Sequence, residues 1–286
     1  MSERGASWFD RRVRRRRISA LGLLLIVLAL LPACAADDGP PPAPVGSPAG
    51  ASGGASAGAA SGALGPGVPV VLLHGYTGTP AAMEPLAAVL RSAGRPVVVV
   101  PLPQRATADV AVLAAAANRG VADLQRPAVD VVGYSLGGIV ARRMLLDLPP
   151  GVTVRHLVML ATPNGGVRLG DASGRPEQEH CTPANACGQI APGSAFLAGL
   201  SREPAAAGRA GWLTIASTSD RLVTPVGAVA LPGARNVVLQ DVCPGLVVEH
   251  GPVVLSEPVL GLTRLFLDGR LPASPSCGEM TAAGRA

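Results

Sequence analysis

From Val68 onward, short valine-rich apolar runs alternate with longer alanine- and leucine-rich stretches, and this alternation limits the chain to few folds. Val68 to Leu73, Pro96 to Val100, Ala128 to Val132, Val152 to Leu160, Trp212 to Ser217 and Asn236 to Leu239 have the length and β-branched content of strands. Ala81 to Ala93, Asp109 to Leu124, Ser135 to Leu148 and Pro258 to Leu267 have the length of helices. Strands that are apolar throughout need cover on both faces, so the pattern predicts an α/β fold, a mostly parallel sheet flanked by helices. Open sheets of this kind bind ligands beyond the carboxyl ends of their strands. The residues that immediately follow each strand are therefore the ones to inspect. Residues 165–211 are the one long stretch without clear alternation, which predicts either a lid or binding loop or a surface excursion.

The chain before Val68 follows other rules. Residues 1–17 hold seven arginines against Glu3 and Asp10, whereas the remainder carries arginines and acids in equal number. The basic balance thus belongs to the leader and gives no support to a nucleic-acid-binding face. Ile18 to Leu31 is apolar but spans only fourteen residues, short of a membrane-crossing helix. A charged start, a short apolar middle and small residues after it predict a signal peptide over residues 1–35, with an uncleaved membrane anchor as the alternative. Leu31-Pro32-Ala33-Cys34 is similar to a lipoprotein cleavage site, which makes Cys34 a lipidation candidate, while Ala33-Cys34-Ala35 offers a competing cut. Residues 36–67 are nearly all Ala, Gly, Ser and Pro and read as a flexible tether. Residues 68–270 form the predicted domain and 271–286 a C-terminal tail.

An exported chain reaches an oxidising compartment, where disulfides persist. Apart from Cys34 the cysteines are Cys181, Cys187, Cys243 and Cys277, which allow three pairings; Cys181 with Cys187 and Cys243 with Cys277 closes the shortest loops. Their spacing does not match a zinc site, and no metal is predicted. The chain contains no lysine, which excludes a Walker-type phosphate loop, a Schiff-base enzyme and a Ser-Lys dyad. Aromatic residues make up 2% of the chain, too few for a platform that stacks sugars or bases.

Gly133-Tyr134-Ser135-Leu136-Gly137 is a G-x-S-x-G pattern, and the tether carries two further copies around Ser52 and Ser56. Context separates them, because only Ser135 follows a strand-like run and precedes a helix-like one. A serine in a sharp strand-to-helix turn needs flanking residues without side chains, which Gly133 and Gly137 supply, and its hydroxyl is then an exposed nucleophile at a helix N-terminus. There the Leu136 amide can face a developing oxyanion, with the Tyr76 amide, in the glycine-bearing loop after the first strand, as the second donor. His74, directly after that strand, reads as a loop-shaping residue.

His74-Gly75-Tyr76-Thr77-Gly78, Gly133-Tyr134-Ser135-Leu136-Gly137-Gly138 and Ala161-Thr162-Pro163-Asn164-Gly165-Gly166 together resemble small bacterial lipases and esterases of the α/β-hydrolase superfamily, over about residues 68–268. Gln189-Ile190-Ala191-Pro192-Gly193-Ser194 is similar to a segment those lipases carry after the Thr-Pro turn. Tyr134 departs from the histidine many members place before the serine, a change expected to affect packing at the elbow more than the chemistry. The resemblance implies a triad in the chain order serine, acid, histidine. His250 occupies the position of the family's base, while His156 at a strand start and His180 in the long loop are assigned structural roles. Asp220 lies where the family has its acid turn, with Asp241 and Glu249 as alternates. The implied activity is hydrolysis of lipid-like acyl esters without a cofactor, at a membrane reached through the signal or a lipid anchor. A thioesterase, an acyltransferase or a scaffold that only binds is the rival reading on the same fold.

Overall fold

The computed structural model describes residues 67–169, 181–202 and 211–285. The leader, Cys34, the tether up to residue 66 and His180 lie outside the described residues. Six strands, β1 (Val70–Leu73), β2 (Val97–Val100), β3 (Ala128–Tyr134), β4 (Thr153–Leu160), β5 (Trp212–Ala216) and β6 (Arg235–Val238), form one sheet in the order β2-β1-β3-β4-β5-β6. Every neighbouring pair runs parallel, as the apolar runs require.

Side chains alternate across the sheet, and both faces are covered. Val71 and Leu73 pack with Leu113 and Ala117 of α2 (Val110–Asp123) and Ile139 and Met144 of α3 (Leu136–Met144). Val70 and Leu72 face Leu86 and Leu90 of α1 (Glu84–Ser92) and Val259 and Leu262 of α7 (Glu257–Leu267). Each such fully buried Val or Leu contributes roughly 1.5–3 kcal/mol relative to exposure. Local chemistry adjusts the element ends. Asp109 lies outside α2 as its N-cap, accepting from the Ala111 amide at 2.6 Å. The chain after β6 turns at once into a short helix, α6 (Leu239–Val242).

Among the described residues of 165–211 the structure places two short helices, α4 (Ala186–Gln189) and α5 (Ala195–Arg202). The Gln189 side chain ties this stretch to the start of α2: its oxygen accepts from the Val110 amide at 2.8 Å and its nitrogen donates to Asp109 at 2.6 Å. Two disulfides, Cys181–Cys187 and Cys243–Cys277, have Cα separations of 5.1 and 4.9 Å. This is the shortest-loop pairing.

Residues 271–286, expected as a tail, instead carry a helix, α8 (Cys277–Arg285), packed on α7. Its apolar signal is weak, with Met280 the one large apolar side chain it buries. The contact is made through backbone: a β-carbon on Gly284 would overlap the Glu257 carbonyl, and one on Gly261 would overlap that of Met280. The Cys243 disulfide, Arg285 to Glu257 at 2.7 Å and Arg264 to the Ala283 carbonyl at 3.2 Å complete it. A second feature with no sequence signature is the buried Asp130 carboxylate on β3. It accepts from Arg95, from Arg155 at 2.8 and 3.2 Å and from His156 at 3.0 Å. Burial pushes this carboxyl up, but the bonds and charges of His156 and Arg155 outweigh it and hold it below the usual carboxylate range.

Candidate active site

β3 ends at Tyr134 and α3 begins at Leu136, so the whole reversal falls on Ser135, at φ 53° and ψ −122°. A non-glycine residue in this region is strained, by of order 1–3 kcal/mol, and needs its surroundings to hold it there. The Ser135 amide donates to the Leu160 carbonyl at 2.8 Å, and its own carbonyl accepts from the Gly138 amide at 3.0 Å. The turn closes only because its neighbours lack side chains. A β-carbon on Gly133 would overlap the backbone of Gly137 and Gly138, and one on Gly137 the Leu73 carbonyl. Gly138 has a reason the pattern did not reveal: a β-carbon there would strike the Thr162 side chain of the Thr-Pro turn.

The turn after β5 carries Asp220, whose side chain is 2% exposed. One carboxylate oxygen accepts from the amides of Leu222 at 2.8 Å and Val223 at 2.9 Å, and the other accepts from His250 Nδ1 at 2.7 Å. Burial raises this carboxyl, but the His250 hydrogen bond and charge together with the two amides prevail and hold it below its ordinary value. An ionised Asp220 fixes the proton of His250 on Nδ1, leaving Nε2 as an acceptor. Nε2 lies 2.9 Å from Ser135 Oγ. The three sequence-predicted residues thus form one continuous hydrogen-bonded chain at the carboxyl end of the sheet. The alternate acids, Asp241 and Glu249, are exposed and make no such contact.

The loop after β1 lies against this chain. A β-carbon on Gly75 would stand 3.1 Å from that of Ser135. Tyr76 follows Gly75 in the same loop, and Leu136, which opens α3, follows the serine directly in the chain. His74 is 1% exposed and shapes the loop: Nε2 accepts from the Leu102 amide at 3.2 Å, and Nδ1 faces the Gly75 carbonyl at 3.0 Å. Because an amide can only donate, the proton sits on Nδ1 and the ring is neutral. Burial accordingly pulls its pKa below the ordinary value, with Arg105 adding to the effect and the Gly75 bond opposing it. His156 belongs to the Asp130 cluster and stacks edge-on against Phe266, with ring centroids 5.4 Å apart.

Two residues support the site in ways the sequence did not suggest: Gln240, which carried no signal, and Tyr134, which was expected only to pack at the elbow. Gln240 accepts from the Thr218 amide at 2.8 Å and donates to Ser217 Oγ at 3.0 Å and to the Leu246 carbonyl at 2.9 Å, joining the Asp220 turn to the His250 loop. The Tyr134 hydroxyl donates to the His250 carbonyl at 3.1 Å. Neither contact has a spacing that a sequence could display. A cleft of about 660 Å³ opens beside the Tyr76 loop, bounded by Tyr76, Thr77, Gln104, Asp109, Val112 and Asn185.

A parallel sheet carrying a strained serine at a strand-to-helix turn, backed by histidine and aspartate on later loops, is the architecture of an α/β-hydrolase. The family model for the alpha/beta hydrolase family matches residues 70–273, and the chain belongs to that family. Solved structures agree on the fold. Aspergillus fumigatus lipase B is similar with a TM-score of 0.54 and 21% identity, over 76% of this chain and 60% of the lipase. The mature form of Bacillus licheniformis lipase BlEst2 is similar with a TM-score of 0.52 and 18% identity, over 72% of this chain and 92% of the lipase. The chain therefore spans three fifths of the first and nearly all of the second. No curated protein matches the chain by sequence.

Proposed function

We propose that the protein is an exported carboxylic ester hydrolase of lipase or esterase type, with Ser135 as nucleophile, His250 as base and Asp220 as its orienting acid. The observation that carries this reading is the unbroken path Asp220–His250–Ser135, at 2.7 and 2.9 Å, ending on a serine held in a strained turn. Ser135 Oγ attacks the ester carbonyl carbon while His250 Nε2 takes its proton. The charge on the carbonyl oxygen meets the amides of Tyr76 and Leu136; losing one such donor typically lowers the rate about a hundred- to a thousandfold. Collapse breaks the bond to the alcohol, which leaves with the proton from Nε2. Water then attacks the acyl-serine, giving a proton to His250, and collapse breaks the acyl–Oγ bond as Nε2 returns that proton to Ser135 and the carboxylic acid departs.

The cleft beside Tyr76 reaches the loop of one oxyanion donor but is lined by none of Ser135, His250 or Asp220, so it says nothing of the acyl group. The lipases among the similar structures favour acyl esters as substrates. Two disulfides fit an oxidising compartment, and with the leader and Cys34 they support export with a lipid-anchored or freely secreted product. The mass of the native N-terminus distinguishes a diacylated Cys34 from a chain cut after Ala35.

The test is turnover of p-nitrophenyl esters from acetate to palmitate by wild type, Ser135→Ala and His250→Ala. Turnover by wild type with both variants at background supports the reading, and the chain-length profile separates lipase from short-chain esterase. Inactivity of wild type on every ester would falsify it and favour the binding-scaffold or acyltransferase alternative.

A further inference from the structure

We propose that Tyr134 is a positioning residue that sets the His250 ring over Ser135, a role resting on the functional reading above. Three contacts carry the inference. The Tyr134 hydroxyl donates to the backbone carbonyl of His250 itself at 3.1 Å. Its ring leans against the His250 ring, centroids 5.3 Å apart at 36°. On its other side the ring edge closes on the loop after β1, where a β-carbon at Gly75 would be 3.3 Å from Tyr134 Cε1. Tyr134 also precedes Ser135 directly in the chain. One side chain therefore touches the base and the loop that carries Tyr76, and is covalently joined to the nucleophile.

The phenol is suited to this task. Its ring is stiff, so it transmits position between β3 and the His250 loop with two torsions to fix. Burial, reinforced by the Asp220 charge, pushes its pKa up to about 12, which keeps the hydroxyl a donor across the range in which an ester hydrolase works. The loop it braces is held before His250 at the Cys243–Cys277 disulfide and by Gln240 on the Leu246 carbonyl, and after it by the Gly251–Leu255 turn, whose buried Val253 donates its amide to the same His250 carbonyl at 3.4 Å. Among the described side-chain hydrogen bonds, that of Tyr134 is the one made to the histidine's own backbone. A neutral hydrogen bond that orients a reacting group corresponds to a rate effect of about five- to tenfold.

The test compares wild type with Tyr134→Phe, which keeps the ring and removes the hydroxyl, and with Tyr134→Ala, which removes both. Three measurements are made: kcat and KM on a p-nitrophenyl ester, the thermal midpoint, and the downfield NMR signal of the His250 Nδ1 proton. Tyr134→Phe is expected to lower kcat about five- to tenfold with KM within twofold, and to broaden the Nδ1 signal through faster exchange with water. Tyr134→Ala is expected to lower kcat further. Wild-type kcat and an unchanged Nδ1 signal in Tyr134→Phe overturn the proposal. So does a fall in kcat that only follows a lowered thermal midpoint, since that marks a packing role alone. The Nδ1 signal needs no turnover: if wild type hydrolyses no ester, the functional reading fails on its own, and the NMR comparison still decides whether Tyr134 holds His250.

Discussion

Gly137 lies so close to the Leu73 carbonyl that a β-carbon on it would overlap that oxygen. The obstructing atom is backbone at the end of a fully buried strand, with the His74 carbonyl beside it, so neither neighbour can swing aside. Gly137→Ala is expected to displace α3 from β1, lower stability by about 2–4 kcal/mol and abolish ester turnover. Gly199→Ala in α5 is the control, because nothing lies within 4 Å of the added carbon. There the helix preference of alanine predicts a gain of about 0.5–1 kcal/mol. Urea unfolding of the two variants checks both signs, and an unaffected Gly137→Ala enzyme would contradict the packing described for the turn.

Asp220→Asn tests the direction of the proton on His250. The turn amides of Leu222 and Val223 require an acceptor on one side, so the asparagine must present its oxygen to them and its NH2 to His250. Nδ1 then has to accept, and the proton moves to Nε2, facing Ser135 with no lone pair to receive the hydroxyl proton. The expected loss in kcat is about ten-thousandfold with little change in fold stability, by analogy with the same substitution in serine proteases. A fluorophosphonate probe should label the variant correspondingly slowly. Labelling at the wild-type rate would show that Asp220 does not set the tautomer.

Ser135, His250 and Asp220 were readable because the chemistry leaves a local mark: glycines at a strand-to-helix junction, and an acid and a histidine after later strands in a known order. Tyr134 on His250 was not, because the bond spans 116 positions and depends on two loops converging. Gly138 looked like redundancy in a motif until Thr162 occupied the space a β-carbon would need. The same reasoning accounts for α8. Periodicity detects helices that bury an apolar stripe, whereas α8 docks through Gly284 and a disulfide, and so it read as a tail. Asp130 was silent for a related reason: a charge inside a valine-rich strand becomes interpretable only once Arg95, Arg155 and His156 are seen around it.

The two disulfides should differ in weight. Cys243–Cys277 closes a separation of 34 residues and Cys181–Cys187 one of 6. Loop-closure entropy alone predicts roughly 4 kcal/mol for the first and roughly 2 for the second. Cys243 also precedes the His250 loop, so breaking its bridge releases α8 and one end of that loop together. Cys243→Ala/Cys277→Ala is therefore expected to lose both stability and activity, and Cys181→Ala/Cys187→Ala mainly stability. Equal thermal midpoints and equal turnover for the two double variants would contradict this ranking.

His74 makes stability depend on pH in a predictable direction. Its ring is held neutral, Nε2 accepting from the Leu102 amide, and a second ring proton would set two donors face to face. Its pKa is therefore lowered from the ordinary 6.5 in the folded state, while the unfolded chain keeps that ordinary value. Above 6.5 the ring is neutral in both states and its contribution is intact. Below it the unfolded chain binds a proton that the folded protein does not, so stability falls as the pH drops toward the folded pKa. Glutamine can repeat both bonds, accepting from Leu102 and donating to Gly75, without a group that titrates. His74→Gln should then lose less stability than wild type between pH 8 and pH 5 when urea midpoints are compared. The two proteins differ at this one position, so the difference between the two curves isolates His74, and parallel curves would mean that its protonation is not coupled to folding.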